Sequence, residues 1–402
     1  MGHSMRNRLS AMMFLQYAAP GFTLPILSHY LKNHLGFEPV QVGWIMAMPA
    51  IAAMVAPFFM AYVADRAISA ERLLAVCHAL AGILMLILYR QDGFWPFLLL
   101  YFAYGLLFVP TFALTNAVAF HHVRDAKREF GAIRMWGPAS WVVVAFGFSI
   151  LWLRGEPADA AGSRLPHALV LCAVSSWALA LYALTLPRGH TGEKEKGGPA
   201  FWKTVRLFAD PSLLLLCALT FLNAVVHQFY YFGMSPFLSQ IGFADRHIMP
   251  AMSMGQLGEV FALLLLGRCI ARLGVKRALI IGVLAQVARC VVFASGKPAL
   301  ALLMVPSHGV CYAFFFTVAY IYVDSHSPPA HRAGAQQLFN ILIAGFGNLA
   351  GNLVAGKTAQ MFTVAGTRAI DFRVFWLVSA GIAVVIASAL ALFFRPSEKA
   401  KP

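Results

Sequence analysis

Charge is scarce in this chain, and acid scarcer still. Only 12% of its 402 residues are charged, and 16 aspartates and glutamates stand against 31 lysines and arginines. A soluble domain of this length could not hide so much apolar surface in one core, since 60% of the residues are hydrophobic and the mean hydropathy is +0.71. The six cysteines (Cys77, Cys172, Cys217, Cys269, Cys290, Cys311) lie in or at the ends of apolar stretches with no paired-ligand spacing, which argues against a disulfide framework and against a zinc site. The Gly-x-x-x-x-Gly-Lys-[Ser/Thr] loop that cradles nucleotide phosphates is missing, which speaks against a primary pump. A cleavable leader is not indicated either. The apolar stretch after Arg6 and Arg8 is too long for one and lacks a small-residue cleavage site, so it reads as a first helix.

What the chain has is apolar length. About 20 apolar residues in a helix span a hydrocarbon core of roughly 30 Å. Twelve such stretches recur, at 9–29, 41–63, 73–89, 94–119, 131–153, 167–186, 212–236, 248–267, 275–294, 298–323, 333–356 and 373–394. The expected fold class is an all-α polytopic membrane protein with twelve transmembrane helices.

The net charge of +15 invites a nucleic-acid reading, and the distribution of the cations argues against it. If both termini and the even-numbered loops share one side, that side carries 20 of the 31 lysines and arginines and the other side nine, with Arg134 and Arg289 inside apolar stretches. By the positive-inside rule both termini are expected in the cytoplasm. The basic balance is topology, and no nucleic-acid partner is expected.

The longest polar interruption, from about Pro187 to Asp210, contains Gly-His-Thr-Gly-Glu-Lys-Glu-Lys-Gly-Gly and has the makeup of a linker. It divides the chain into a six-helix bundle over 1–186, a cytoplasmic linker over 187–210 and a second six-helix bundle over 211–402. The halves echo each other: Ala-Asp-Arg-Ala-Ile-Ser-Ala-Glu-Arg-Leu-Leu at 64–74 and Ile-Ala-Arg-Leu-Gly-Val-Lys-Arg-Ala-Leu at 270–279 occupy corresponding places. Parallel six-helix repeats, with a ligand site near the midplane, are the design of major facilitator transporters. Segment 64–74 resembles a degenerate form of that superfamily's signature, keeping Asp65 and Arg66 but lacking the glycine after the arginine. The resemblance gives Asp65 and Arg66 a structural or gating role.

Further segments resemble the bacterial nucleoside:proton symporter family, in the right order over nearly the whole chain. They are Phe14-Leu-Gln16, Cys77-His78, Pro110-Thr111 with Asn116, Ile133-Arg134-x-Trp136-Gly137, Gln256-x-x-Glu259, Arg289, Arg332-Ala-x-Ala-Gln336, Gly345-Phe-Gly347 and Gly356-Lys357. The resemblance implies import of a small polar solute, most of all a nucleoside, together with a proton. It also implies a location in the bacterial inner membrane. A monomer without cofactor or metal is expected.

The polar residues within the apolar stretches are informative without that family. Glu259 is the one charge between Ile248 and Leu266. An ionised group at bilayer depth costs from about 2.5 to well over 10 kcal/mol, so it faces a cavity, finds a partner or takes up a proton. Gln256, three residues earlier, shares its helical face. Arg289 is the natural countercharge, and His308 is a third candidate because histidine titrates most readily near neutral pH. The alternative is a structural ion pair that only sets helix packing. For Arg134 two readings stand: a guanidinium fork able to hold a carbonyl or hydroxyl by two hydrogen bonds, its counterpart in the resembled family lining the substrate cavity, or a snorkelling cytoplasmic anchor.

Around residues 223–232, Asn223, His227 and Tyr230 share one helical face, while Gln228 and Tyr231 are turned about a hundred degrees away. Tyr312 lies one turn after His308. Aromatic plates beside amides suit a nucleoside, and a sugar or aromatic acid fits the same description. The expected substrate-binding set is Arg134, Trp141, Asn116, His227, Gln228, Tyr230, Gln256 and Tyr312, and the expected proton-coupling set is Glu259, Arg289 and His308. The chain departs from the resembled family at His227 and Tyr230, where relatives carry Gln and Asn, and at Pro138 and Trp141, where Thr and Phe are usual. Other classes are a drug or metabolite efflux carrier of the same fold and a membrane enzyme. The second would need an acid or histidine pair near one membrane face, and the only adjacent pair in the sequence, His121-His122, has no carboxylate cluster beside it.

Overall fold

Helices start and stop where the sequence supplies the chemistry for it. Asp210 precedes Pro211, and its Oδ1 accepts hydrogen bonds from the amides of Ser212 and Leu213 at 3.0 and 3.1 Å. A capping oxygen and a proline at the first helical position are the expected start signals. Asp371 likewise accepts from the amide of Val374 at 3.2 Å. Gly274 takes φ of 78°, a left-handed conformation that costs glycine nothing.

The computed structural model describes residues 3–64, 69–123, 126–155, 163–187, 208–328 and 331–396. In chain order the long helices are α1 (His3–Thr23), α2 (Pro39–Ala64), α3 (Ala70–Leu88), α4 (Phe94–His122), α5 (Glu129–Trp152) and α6 (His167–Thr185). There follow α7 (Pro211–Gln240), α8 and α9 (together Asp245–Ala294, broken at Gly274), α10 (Pro298–His326), α11 (Gly334–Met361) and α12 (Phe372–Phe393). Taken unbroken, nine helices of the described residues are long and apolar enough to cross a membrane. With α1, α2 and the break at Gly274 they make the twelve of an all-α polytopic protein.

Some boundaries differ from those expected. The first stretch does not run unbroken to residue 29: α1 stops at Thr23, a turn holds Pro25, and Leu27–His29 and a π-turn Tyr30–His34 follow. Proline has no backbone donor and displaces the residue before it from helical geometry. The expected gap between 267 and 275 is helical up to the glycine, because exposed Arg268 and Arg272 favour helix as well as they favour water. In α4 the chain turns at Val109 and Pro110, and in α10 at Val305 and Pro306. The Asp65-Arg66 pair lies outside the described residues.

The chain forms two compact units. The first comprises Met1–Phe37, Trp44–Glu193 and Ala244–Ser253, and the second Glu38–Gly43, Lys194–Phe243 and Met254–Pro402. In the first, Leu9, Met12, Leu74, Val118, Ile133 and Leu179 form a buried cluster. The indole of Trp177 lies in the notch at Gly82 and donates to the carbonyl of Ala79 at 3.1 Å, holding α6 to α3. In the second, Leu216, Phe314, Phe315, Phe339 and Ile386 do the same. Here α11 presents Gly347 and Gly351 to the Cβ atoms of Ala224 and Gln228 on α7, the small-residue contact by which helices approach closely in lipid. Leu151, Leu264, Leu392 and Phe393 stay exposed, as lipid-facing side chains do.

Candidate functional site

In the second unit, α7, α8, α9 and α10 bring most of the expected coupling residues and several of the expected substrate contacts into one cluster around His308. The Nη1 of Arg289 lies 2.8 Å from the Nδ1 of His308. A guanidinium only donates, so Nδ1 accepts and the hydrogen of the imidazole sits on Nε2, 3.4 Å from the hydroxyl of Tyr231. The ring of His308 stacks on Tyr230 at 4.1 Å and on His227 at 4.8 Å between centroids. Arg289 is only 1% exposed, and its guanidinium carbon lies 4.7 Å from the Tyr230 ring centroid. The guanidinium is cationic, and the imidazole lone pair and the face of the tyrosine together hold that positive charge.

Glu259 is half-buried on α8 and within electrostatic reach of Tyr231. Its backbone is set directly against α10: a Cβ placed on Gly309 would clash with the Glu259 amide nitrogen, and one on Gly258 with the carbonyl oxygen of Pro306. Gly255 faces the His308 side chain in the same contact. Three glycines thus let α8 and α10 touch backbone to backbone and bring Glu259 and His308 into one neighbourhood. Their signal in the sequence was Gly255-x-x-Gly258, two glycines three apart and so on one helical face, beside Gln256 and Glu259. Gln256 is half-buried on the same helix.

The aromatic wall continues through Phe316, whose ring lies 5.1 Å from His227 and 5.6 Å from the 37% exposed Tyr312. Tyr231, set aside in sequence as pointing elsewhere, joins the cluster through His308 and through His227 at 5.4 Å. Residues one apart on a helix diverge, but a ring between them on a neighbouring helix touches both. Gln228 instead packs its Cβ against Gly351 of α11. Within the cluster His227 Nε2, the Tyr230 hydroxyl and Arg289 Nε have no hydrogen-bond partner among the described residues, as neither does the fully buried amide of Asn223. Stranded polar atoms of this kind cost about 1–3 kcal/mol each. A hydroxylated or amide-bearing solute would satisfy them.

In the first unit Arg134 ends the first stretch of α5, half-buried. Its guanidinium carbon stands 4.2 Å above the ring of Tyr17, and its Nη1 lies in the notch left by Gly137. A snorkelling anchor would extend along the helix toward the headgroups, whereas this side chain folds over α1. Sequence reading missed Tyr17, whose one signal was its place beside the Phe14-Leu-Gln16 motif. Trp141, about two turns after Arg134 and half-buried, packs at Gly21 of α1. Asn116 is half-buried on α4, and its amide oxygen has no partner among the described residues. Behind them Gln16 links His78 at 3.0 Å to the Thr111 hydroxyl at 2.8 Å, a buried polar chain that ties α1, α3 and α4. Among the described residues one further group can hold a cation: His29, His34 and Asp245 offer ligand atoms within 4.8 Å of one another.

Comparison with known proteins bears on what this arrangement serves. A family model described as Nucleoside H+ symporter matches residues 1–399. The putative nucleoside transporter YegT of Escherichia coli (strain K12) is 31% identical, over 97% of this chain and 94% of its own length. The crystal structure of the nucleoside transporter NupG superposes with a TM-score of 0.87 at 25% identity, covering 98% of this chain and 99% of that one. The crystal structure of a D-xylose-proton symporter, at a TM-score of 0.74 and 12% identity over 100% of both chains, shows the fold alone.

Proposed function

We propose residue roles for a chain that belongs to the nucleoside H+ symporter family. It is a membrane-integral secondary transporter of the major facilitator fold, and it imports nucleosides with protons. The observation that carries the roles is Glu259, a carboxylate inside a membrane-crossing helix whose backbone abuts the helix of His308.

Glu259 is the proton site. Protonated, it favours loading of the solute from outside, and it gives up the proton inside after the solute has left. Arg289 supplies the fixed countercharge, and His308 orients Arg289 by accepting its hydrogen bond. In the second unit His227, Tyr230, Gln256 and Tyr312 contact the solute, the aromatic faces taking the base and the polar atoms the ribose. In the first unit Arg134 and Asn116 hydrogen-bond it and Trp141 packs against it. Gln228 supports α11 rather than the solute. Asp65 and Arg66 gate the cytoplasmic side, and the linker over 187–210 joins two functional halves. The distribution of cations supports cytoplasmic termini, and the family and its relatives support a bacterial inner membrane. The chain acts as a monomer in lipid, without catalysis.

The test is uptake of uridine and adenosine into proteoliposomes with an imposed inward proton gradient, beside a thermal-shift screen of nucleosides, nucleobases, sugars and aromatic acids. Nucleosides should stabilise the protein and accumulate, and a protonophore should abolish accumulation. Stabilisation by sugars or aromatic acids with no response to any nucleoside would overturn the substrate. Accumulation driven only by an outward gradient would overturn import.

A further inference from the structure

Among the described residues, a second group of titratable side chains lies apart from the Glu259 cluster, just after α1. Tyr30–His34 forms a turn of π-helix, closed by the hydrogen bond from the amide of Leu35 to the carbonyl of Tyr30 at 3.1 Å. In such a turn hydrogen bonds link residues five apart, so His29 and His34 come to one side. In an α-helix the same pair would diverge. The chain returns to this place 216 residues after His29, where Asp245 opens α8 within the segment Ala244–Ser253 of the first unit. The Nε2 of His29 lies 2.9 Å from one carboxylate oxygen of Asp245, and the Nε2 of His34 lies 3.4 Å from the other.

We propose that His29, His34 and Asp245 form a binding site for a divalent transition-metal ion of the zinc class. Two imidazoles and a carboxylate suit zinc, copper or nickel rather than magnesium or calcium, which prefer all-oxygen shells. Zinc bonds of about 2.0–2.2 Å in tetrahedral array set neighbouring ligand atoms about 3.3 Å apart. Here His29 lies 2.9 Å from one carboxylate oxygen and His34 3.4 Å from the other, and one ligand atom from each residue lies within 4.8 Å of the others, so the side chains close in slightly on the ion. The rings stand at 84° to each other, as ligands converging on one centre from different directions do. The other nitrogen of His29, Nδ1, is 2.8 Å from the side-chain amide of Asn33. Such a second partner orients a metal-binding imidazole and selects its tautomer. With the amide turned so that its oxygen accepts from Nδ1–H, Nε2 of His29 presents its lone pair to the metal. Water reaches the site on the His34 side, since His34 lines a cavity of about 600 Å³ with Tyr30, Arg90, Gln91 and Asp92. The three ligands leave a fourth position for that water. Because Asp245 opens the helix that carries Gln256 and Glu259, an ion held here restrains that helix and slows transport.

The experiment titrates full-length, tag-free protein, stripped with EDTA and desalted, with zinc chloride by calorimetry at pH 7.5. One zinc per chain is expected, with binding at least ten-fold weaker in His34→Ala, His29→Gln and Asp245→Asn. Zinc-edge X-ray absorption should show two imidazoles. Uridine uptake into proteoliposomes should fall several-fold with zinc, recover with EDTA, and be indifferent to zinc in His34→Ala. Metal-free uptake and thermal stability of His34→Ala near the wild-type values show that the variant is folded. Absence of zinc binding, wild-type affinity in the three variants, a spectrum without imidazole, or uptake that ignores a loaded site would each overturn the proposal.

Discussion

Arg289 on α9 and His308 on α10 are joined by a 2.8 Å hydrogen bond in which the guanidinium donates and the imidazole Nδ1 accepts. Both are at least 98% buried, so each depends on the other for a polar partner that water cannot supply. His308 also carries Tyr230, Tyr231 and His227 on its ring and edge. This one bond therefore orders the polar cluster next to the Glu259 helix.

His308→Ala should leave the Arg289 charge short of a partner and cost about 1.5–3 kcal/mol, the value of a hydrogen bond to a charged group. Arg289→Met alone should cost a similar amount. The double variant should cost clearly less than the sum, because the two share one interaction. Unfolding midpoints in detergent, measured around the cycle, check this, and strict additivity would mean that the bond contributes nothing.

Glu259→Gln keeps the shape of the side chain and removes its proton chemistry. Proton-driven accumulation of nucleoside should be lost, while exchange of internal for external nucleoside persists in part. Uphill uptake at the wild-type rate would remove Glu259 from the coupling.

Gly309→Ala drives a methyl into the Glu259 amide nitrogen, whereas Gly267 has nothing within 4 Å of a new Cβ. Forced overpacking costs about 1–3 kcal/mol or more. Gly309→Ala should lower both thermal stability and uptake, and Gly267→Ala should change neither. Equal behaviour of the two variants would contradict the close approach of α8 and α10.

Arg134→Lys retains the charge but loses the planar fork that lies over Tyr17. Nucleoside affinity should fall by about 1–3 kcal/mol, the range for a lost polar partner, with the protein still inserted and stable. A membrane anchor would accept lysine without penalty, so unchanged affinity in the lysine variant decides for that reading.

Tyr312 is partly exposed and edges the aromatic wall of His227 and Phe316. Tyr312→Ala should weaken uridine and adenosine binding more than binding of free ribose, because ribose has no ring to stack. Equal losses, read by calorimetry, would place the base elsewhere.

Much of this protein is written in one dimension. A helix that crosses lipid must satisfy its backbone internally and cover its length with apolar side chains, so twelve helices can be counted from hydropathy alone. Glu259 stands out for the same reason, as one carboxylate in a long apolar run. Breaks at Pro25, Pro110 and Gly274 follow from local backbone chemistry, though their exact reach does not, since charged residues such as Arg268 remain helical beside them. Partnership is another matter. That Arg289 bonds His308, that Arg134 covers Tyr17, that Gln228 turns to α11 while Tyr231 joins the cluster, and that Asp245 returns to His29 all depend on which helix faces meet. A side chain's direction is periodic along its own helix, but its neighbour is chosen by the rotation and depth of a second helix that packs wherever glycines permit. Those contacts join residues up to 216 positions apart, and no local pattern records them.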